Sequence, residues 1–174
     1  FTSRVSYYDI KKGRWFNTAP RNFKCHGFQI AGHGDYIYAF GGFAYEESTN
    51  PKWKSLSVVE RYNIHTQKWE IVGDMPRKRS SNVVLKVKDK AYLIGGWDAT
   101  PKFDQDYDGT FHEEIDVFDF KTNTFTTLEE KLPLKRRAFS AFEKDGMIYL
   151  AGGLSEGASH FSLLDHFTRF DPVT

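Results

Sequence analysis

The sequence of 174 residues is poor in cysteine, in net charge and in long apolar runs. With one cysteine, Cys25, the chain forms no internal disulfide, which fits a reducing compartment. Since 24 Lys and Arg residues stand against 23 Asp and Glu residues, no overall field favours nucleic acid or an anionic membrane. No apolar run reaches the roughly 18 residues that predict a membrane span. We therefore expect a cytoplasmic protein, with the nucleus left open, that binds neither membranes nor nucleic acid.

A secretory signal peptide and long helical periodicity are also missing. The first residues, FTSRVSYYDIKKGRW, lack a signal-peptide pattern and do not begin with Met, so we expect the chain to start inside a longer protein. No segment repeats its apolar residues with a helical period over a long stretch, which predicts that helix is nearly absent. Aromatic residues make up 17% of the chain, and this much rigid surface favours large interfaces between packed sheets.

Glycine pairs follow three short apolar stretches, in IYAFGGF, AYLIGGW and IYLAGGL. Their first glycines stand at 41, 95 and 152, so the intervals are 54 and 57 residues. Paired glycines inside a strand lose side-chain packing and add backbone entropy, so a repeated pair needs an architectural reason. We predict that they let neighbouring backbones approach where a Cβ would collide. The structural residues are then Gly41, Gly42, Gly95, Gly96, Gly152 and Gly153.

A second marker, two aromatic residues seven positions apart, runs at the same period. Each unit also reads as four short strands; in one unit these are SNVVLKVK, AYLIGG, IDVFDF and TFTTL, with the turn residues KTN before the last. Four strands in a repeat of about 50 residues are typical of a β-propeller blade. The pairs are Tyr8 and Trp15, Tyr62 and Trp69, and Phe118 and Phe125, with Phe170 opening a further copy. We expect Tyr62, Trp69, Phe118 and Phe125 to be structural, with rings such as Tyr62, Trp69 and Phe125 buried between blades.

The glycine pair after an apolar strand, followed by Tyr and Trp seven residues apart, resembles the kelch repeat. The stretch VVERYNIHTQKWEIVGDMPRKR is the best copy. The resemblance implies an all-β, kelch-type β-propeller of about three blade equivalents. Residues 1–19 would be the second half of a preceding blade, residues 20–75 and 76–132 two blades, and residues 133–174 a blade without its last strand. Since propellers hide their edges with about four to eight blades, we expect half of a larger propeller, completed by missing sequence, another chain or a second copy.

The repeats most resemble the kelch domains of BTB-kelch proteins. That resemblance implies a non-catalytic module that binds another protein or peptide, and more narrowly the substrate-recognition propeller of a BTB-kelch cullin–RING ubiquitin ligase adaptor. Two alternatives stay open: an actin- or cytoskeleton-associated kelch protein, and a propeller enzyme such as a sialic-acid mutarotase or a copper oxidase. No motif marks a catalytic residue or a cofactor, so we expect neither.

Two arginines stand at equivalent points of the repeat. Arg79 in PRKRS and Arg136 in PLKRRA each precede the first glycine of their unit by 16 residues. In BTB-kelch proteins, which the chain resembles, an arginine here often lines the substrate face and grips acidic peptides, because its planar guanidinium binds a carboxylate through two hydrogen bonds. Cys25 takes this place in the first unit, so a complete basic ring is not predicted. The alternative is that both are ordinary surface arginines at a strand entrance.

The long segments after the glycine pairs carry aromatic residues that look exposed. Aromatic anchors beside arginines are the usual composition of protein-binding hot spots, so we predict a partner-binding surface on one rim. The alternative is that some of these rings pack against their own loops. The candidates are Phe43, Tyr45, Trp53, Trp97 and Tyr107.

The acidic segment DQDYDG is a weak candidate for a calcium site. Asp104, Asp106 and Asp108 place carboxylates at alternate positions before a glycine, as in the first half of a calcium loop. The twelfth position of such a loop is Ile115, not Glu, and the flanking helices are missing. A solvated loop tip is the alternative. The pair Cys25 and His26 is predicted to be structural, because neighbouring residues on a strand point to opposite faces.

Overall fold

The computed structural model describes residues 1–101, 109–157 and 161–172. Every regular element in these ranges is a β-strand, so the predicted all-β class is confirmed. In the same ranges no helix is long and apolar enough to cross a membrane.

The described strands form successive antiparallel sheets along the chain. The first sheet is a ribbon of β1 (Val5–Asp9) and β2 (Arg14–Thr18). The second sheet has the order β3-β5-β6-β7, with β4 also paired to β5. Its strands are β3 (Cys25–His26), β4 (Gln29–His33), β5 (Tyr36–Tyr45), β6 (Trp53–Asn63) and β7 (Lys68–Asp74).

The third and fourth sheets repeat this order and carry short side ribbons. The third sheet is ordered β13-β12-β9-β8 and the fourth β14-β15-β18, while β10 pairs with β11 and β16 with β17. The strands of the third sheet and its ribbon are β8 (Val83–Val87), β9 (Lys90–Ile94), β10 (Trp97–Asp98), β11 (Thr110–Phe111), β12 (Glu114–Asp119) and β13 (Thr124–Lys131). Those of the fourth are β14 (Ser140–Lys144), β15 (Met147–Ala151), β16 (Leu154–Ser155), β17 (Ser162–Leu163) and β18 (Phe167–Phe170).

The sheets stack side by side through their faces, as the wedges of a β-propeller do. The first strands β4, β8 and β14 contact one another from sheet to sheet. Between the second and third sheets, Phe40 packs against Phe118 with ring centroids 5.5 Å apart, in one buried cluster with Leu93. Between the third and fourth, Ile94 joins Ile148 in a second cluster. Each such side chain contributes about 1.5–3 kcal/mol when fully buried, so the predicted propeller architecture is confirmed with about three blades described.

The aromatic residues seven positions apart face each other across the outer hairpin of each sheet. Tyr8 lies opposite Trp15, Tyr62 opposite Trp69, and Phe118 opposite Phe125. The Tyr62 ring is buried, and the Trp69 indole donates a hydrogen bond of 3.0 Å to the Ala19 carbonyl in the segment after the first sheet. In the second sheet the aromatic pair of Tyr62 and Trp69 therefore connects the sheet to the segment that precedes it.

The register also assigns β1 and β18 to the same place in the repeat. β1 carries Tyr8 and β18 carries Phe170, and both match the third strand of a sheet. A second copy that joined the two ends would bring two third strands into one sheet. The exact blade boundaries and the pairing of two copies stay predictions.

The first two glycine pairs lie where the backbone of one sheet meets the entrance of the next. A Cβ on Gly41 would lie 2.5 Å from the Arg79 carbonyl oxygen, and one on Gly95 would lie 2.5 Å from that of Arg136. The next amide in each pair, Gly42 or Gly96, donates a hydrogen bond to the same carbonyl, at 2.9 and 2.8 Å. All members of the three pairs, Gly152 and Gly153 included, have positive φ. These close backbone contacts join consecutive sheets, and only glycine permits them because it has no Cβ.

The variant Gly95→Ala tests this approach. Its Cβ meets a backbone carbonyl in a left-handed conformation, so we expect a loss of at least about 2 kcal/mol in the free energy of unfolding. The control is Gly32→Ala on β4, where no atom lies within 4 Å of the added Cβ and the expected change is below about 1 kcal/mol. Urea unfolding followed by tryptophan fluorescence measures both; equal stability of the two variants would contradict the close-approach account.

Candidate functional site

Beyond each glycine pair the chain forms a hairpin, and the hairpins of consecutive sheets touch. In the first, Tyr45 lies opposite Trp53 at the ends of β5 and β6. Its Ser55 hydroxyl accepts a hydrogen bond of 2.9 Å from the Ala99 amide beside the second hairpin. We call this surface the hairpin face. It comprises residues 43–45 and 53–55, Trp97–Asp98 with Thr110–Phe111, and Leu154–Ser155 with Ser162–Leu163.

Three of the predicted binding residues form an aromatic strip on the hairpin face. Phe43, Tyr45 and Trp53 are each half-buried, and the Tyr45 and Trp53 rings lie 5.9 Å apart. His26, which is exposed, extends the strip because its ring is 5.0 Å from that of Phe43. Phe1 stacks 5.0 Å from His26. The Phe1 ring also lies 5.7 Å from Phe43 and 6.0 Å from Tyr45. The aromatic strip thus comprises His26, Phe43, Tyr45 and Trp53, and Phe1 packs on three of its four rings.

Trp97 has a different environment from the other predicted binding residues, because it is only 8% exposed. Its ring packs 5.8 Å from Phe111 and 5.8 Å from Phe161. The guanidinium of Arg137 covers the same ring at 4.1 Å and lies 4.5 Å from Phe161. Trp97 therefore packs the hairpin of the third sheet against residues of the fourth sheet. The half-buried Arg137 is the cation at this part of the hairpin face.

Some predicted site residues cannot be placed. Tyr107, proposed for partner binding, and Asp104, Asp106 and Asp108, the weak calcium candidate, lie outside the described residues.

The structure places Arg79 and Arg136 in the interior, which differs from the predicted surface position. Both side chains are 0% exposed. Arg79 donates hydrogen bonds to the carbonyls of Gly95 and Glu114, the latter at 2.8 Å, and pairs with the Asp116 carboxylate at 2.7 Å. Its guanidinium thus joins the entrance of the third sheet to β9 and β12. A partner that docks on this conformation does not reach it.

Asp116 is the buried acid that compensates Arg79. It also pairs with Arg77 and accepts a hydrogen bond of 2.7 Å from the Thr127 hydroxyl. Burial by itself would raise the pKa of Asp116, but Arg79, Thr127 and Arg77 outweigh it and hold that pKa below the ordinary value. Burial lowers the pKa of Arg79, and the Asp116 carboxylate acts against that shift.

The second sheet also contains a buried guanidinium paired with a buried acid, but different residues supply them. Cys25 occupies the place of Arg79, and its Sγ lies 3.9 Å from the Gly41 carbonyl oxygen. The guanidinium comes instead from Arg21, which is 3.2 Å from that sulfur and pairs with buried Glu60 at 2.7 Å. Burial raises the pKa of the Cys25 thiol, so the sulfur stays protonated at neutral pH. His26 points to the opposite, exposed side, so the two side chains form no site together.

Sequence reasoning missed these buried ion pairs, although signals for them were present. Glu60 and Asp116 each precede an aromatic residue of the repeat, Tyr62 or Phe118, by two positions. Pro-Arg also occurs at the entrance of both sheets, at residues 20–21 and 76–77. Together they indicate a paired cation and anion in the second and third sheets, which composition alone does not reveal.

Comparisons with known proteins agree with this repeat. A family model described as the kelch motif matches residues 24–76. Alpha-scruin of Limulus polyphemus is 26% identical over 97% of the chain and 18% of that protein. Kelch-like protein terF of Aspergillus terreus is 27% identical over 80% of the chain and 29% of that protein, and human Kelch-like protein 15 is 24% identical over 88% and 25%. The chain therefore spans less than a third of the length of these relatives.

Removing the charge of Asp116 should destabilise the protein strongly. Asp116→Asn leaves Arg79 buried without its carboxylate, and we expect a loss of about 3–5 kcal/mol in the free energy of unfolding. Asp74→Asn is the matched control, because Asp74 is exposed and the change should stay below about 1 kcal/mol. Urea unfolding at pH 7 measures both. A loss no larger than that of the control would show that the ion pair is dispensable.

The same pair predicts an acid dependence of stability. The pKa of Asp116 is lower in the folded than in the unfolded chain, whose ordinary value is 3.8, so its contribution is complete above that value. It is lost as the pH falls through the folded-state pKa. We expect the free energy of unfolding of the wild type to fall more steeply below about pH 5 than that of Asp116→Asn. Denaturant titrations at several pH values measure the two slopes, and parallel curves would contradict the assignment.

Proposed function

Because the chain consists of kelch repeats arranged as consecutive propeller sheets, we propose that it is a non-catalytic module that binds another protein on its hairpin face. The observation that carries the proposal is the aromatic strip. Its half-buried rings, Phe43, Tyr45 and Trp53, are fixed by contacts with neighbouring rings and keep part of their apolar surface exposed to solvent. Rings held in this way lose little conformational entropy when a partner packs on them.

The charges around the strip favour an acidic segment in the partner. Lys52 and Lys54 flank Trp53, and Lys24 precedes the strand that carries His26. Lys24 and Lys52 are exposed and Lys54 is half-buried, so the ammonium groups can meet carboxylates at the rim of the contact. We propose an extended partner segment with an apolar or aromatic anchor for the strip and acidic residues beside it. Glu46 and Glu47 follow Tyr45 and would repel carboxylates there. We therefore propose that the acidic residues of the partner lie beside Lys52 and Lys54, next to Trp53.

We further propose that a longer parent protein uses this surface to select substrates for a cullin–RING ubiquitin ligase. Support comes from the resemblance of the repeats to BTB-kelch proteins and from the similarity to Kelch-like protein 15. Co-precipitation with the full-length parent protein tests it. A cullin should be recovered with the parent and not with residues 1–174 alone, whereas no recovery with the parent would end the ligase proposal while leaving the binding module intact.

Trp53→Ala tests the hairpin face. Peptides selected from a random display library on the immobilised wild-type chain should be rich in acidic and aromatic residues. Loss of the central ring should weaken their binding at least about 30-fold, which corresponds to a hot spot of about 2 kcal/mol. Trp15→Ala is the control, because Trp15 is 70% exposed on β2, outside the strip. Melting temperatures verify that both variants fold, and unchanged binding by folded Trp53→Ala would contradict the proposal.

A further inference from the structure

The buried guanidinium of the fourth sheet differs from those of the second and third sheets in the group opposite it. In the second sheet Arg21 pairs with Glu60 at 2.7 Å, and in the third Arg79 pairs with Asp116 at 2.7 Å. The acids stand two residues before Tyr62 and Phe118. The equivalent position before Phe170 is Thr168, which carries no charge.

Arg136 is therefore buried with neutral partners. It is 0% exposed and donates hydrogen bonds to the Thr168 hydroxyl at 3.1 Å and the Gly152 carbonyl at 3.4 Å. Its Nε has no hydrogen-bond partner among the described residues, as is also true of the Arg79 Nε. The Arg136 guanidinium lies 5.8 Å from the Phe139 ring and, unlike that of Arg79, makes no ion pair with a described residue. A cation taken out of water without a compensating anion is strongly unfavourable.

The segment at the entrance of the fourth sheet also carries a smaller, uncharged side chain where the third sheet has an arginine. In the third sheet, Arg77 follows Pro76 and pairs with Asp116. In the fourth, Leu134 follows Pro133 at the same place. Two smaller neutral residues, Leu134 and Thr168, thus stand at the repeat positions that Arg77 and Asp116 hold in the third sheet. Thr168 is half-buried, whereas Arg136 itself is not exposed.

We propose that Arg136 and Thr168 bind an oxyanion of the phosphate type, which neutralises Arg136 as Asp116 neutralises Arg79. The guanidinium supplies charge and two-pronged donors, and the threonine hydroxyl supplies a third donor. The same chemistry fits a free phosphate and the phosphate of a modified side chain. The site lies in the interior of the fourth sheet. The proposal therefore does not depend on the protein-binding function proposed for the hairpin face.

Thermal melting in phosphate, compared with potassium chloride at equal ionic strength and pH, tests the proposal with the complete chain. Matching the ionic strength removes general screening. We expect the melting temperature to rise with phosphate concentration and to saturate at a gain on the order of 5 °C, because a ligand that binds only the folded state stabilises it. O-phosphothreonine is the second probe: stabilisation by both assigns a site that also takes a modified side chain, and stabilisation by phosphate alone assigns a site for the free anion.

The matched variants are Thr168→Asp and Thr168→Asn, which have the same shape and differ in charge. Thr168→Asp should melt on the order of 5 °C higher than Thr168→Asn and should no longer respond to phosphate, because its own carboxylate fills the site. Thr126→Asp, at an exposed position of β13, controls for adding an aspartate to a strand and should keep the phosphate response.

Two results would overturn the proposal. One is a wild type that melts at the same temperature in phosphate and in chloride, whatever the variants do. The other is a phosphate gain that persists in Thr168→Asp, since the anion would then bind elsewhere.

Discussion

The close approach between the glycine pair of one sheet and the entrance of the next is the constraint on which the rest of the structure depends. It brings the Gly42 and Gly96 amides onto the carbonyls of Arg79 and Arg136, so consecutive sheets share backbone hydrogen bonds as well as apolar contacts. At this distance the faces that carry Phe40, Phe118 and Ile148 close over each other. A side chain in place of either glycine pair would separate the faces and expose both clusters to water.

The buried guanidinium groups follow from the same geometry. Where the chain turns beyond a glycine pair, carbonyls such as that of Gly95 point into the sheet and need donors. An arginine at the entrance supplies several donors at once and then requires an anion, which Asp116 provides in the third sheet and Glu60 in the second. The interior charges therefore hold the blade together, and the binding surface that we propose lies on the hairpins beyond the glycine pairs.

Local chemistry made much of the architecture predictable. The glycine pairs, the strands before them and the aromatic pairs such as Tyr62 and Trp69 recur with one period, and each signal lies within a single hairpin. The positions of Arg79 and Trp97 were not predictable in the same way. Arginine is usually exposed, and its burial here depends on Asp116, which is 37 residues away. Trp97 is buried by Phe161 from the following sheet, a contact that no local pattern encodes.

Native-state hydrogen exchange of the Gly42 and Gly96 amides tests the central claim most directly. If these bonds join the sheets, the two amides exchange only when the whole chain unfolds, with the same protection as core amides such as that of Leu93. Their protection should then fall with denaturant in parallel with global stability. Fast exchange of Gly42 and Gly96, at the rate of the exposed turn amide of Lys11, would contradict the account, because the sheets would then be packed without this backbone connection.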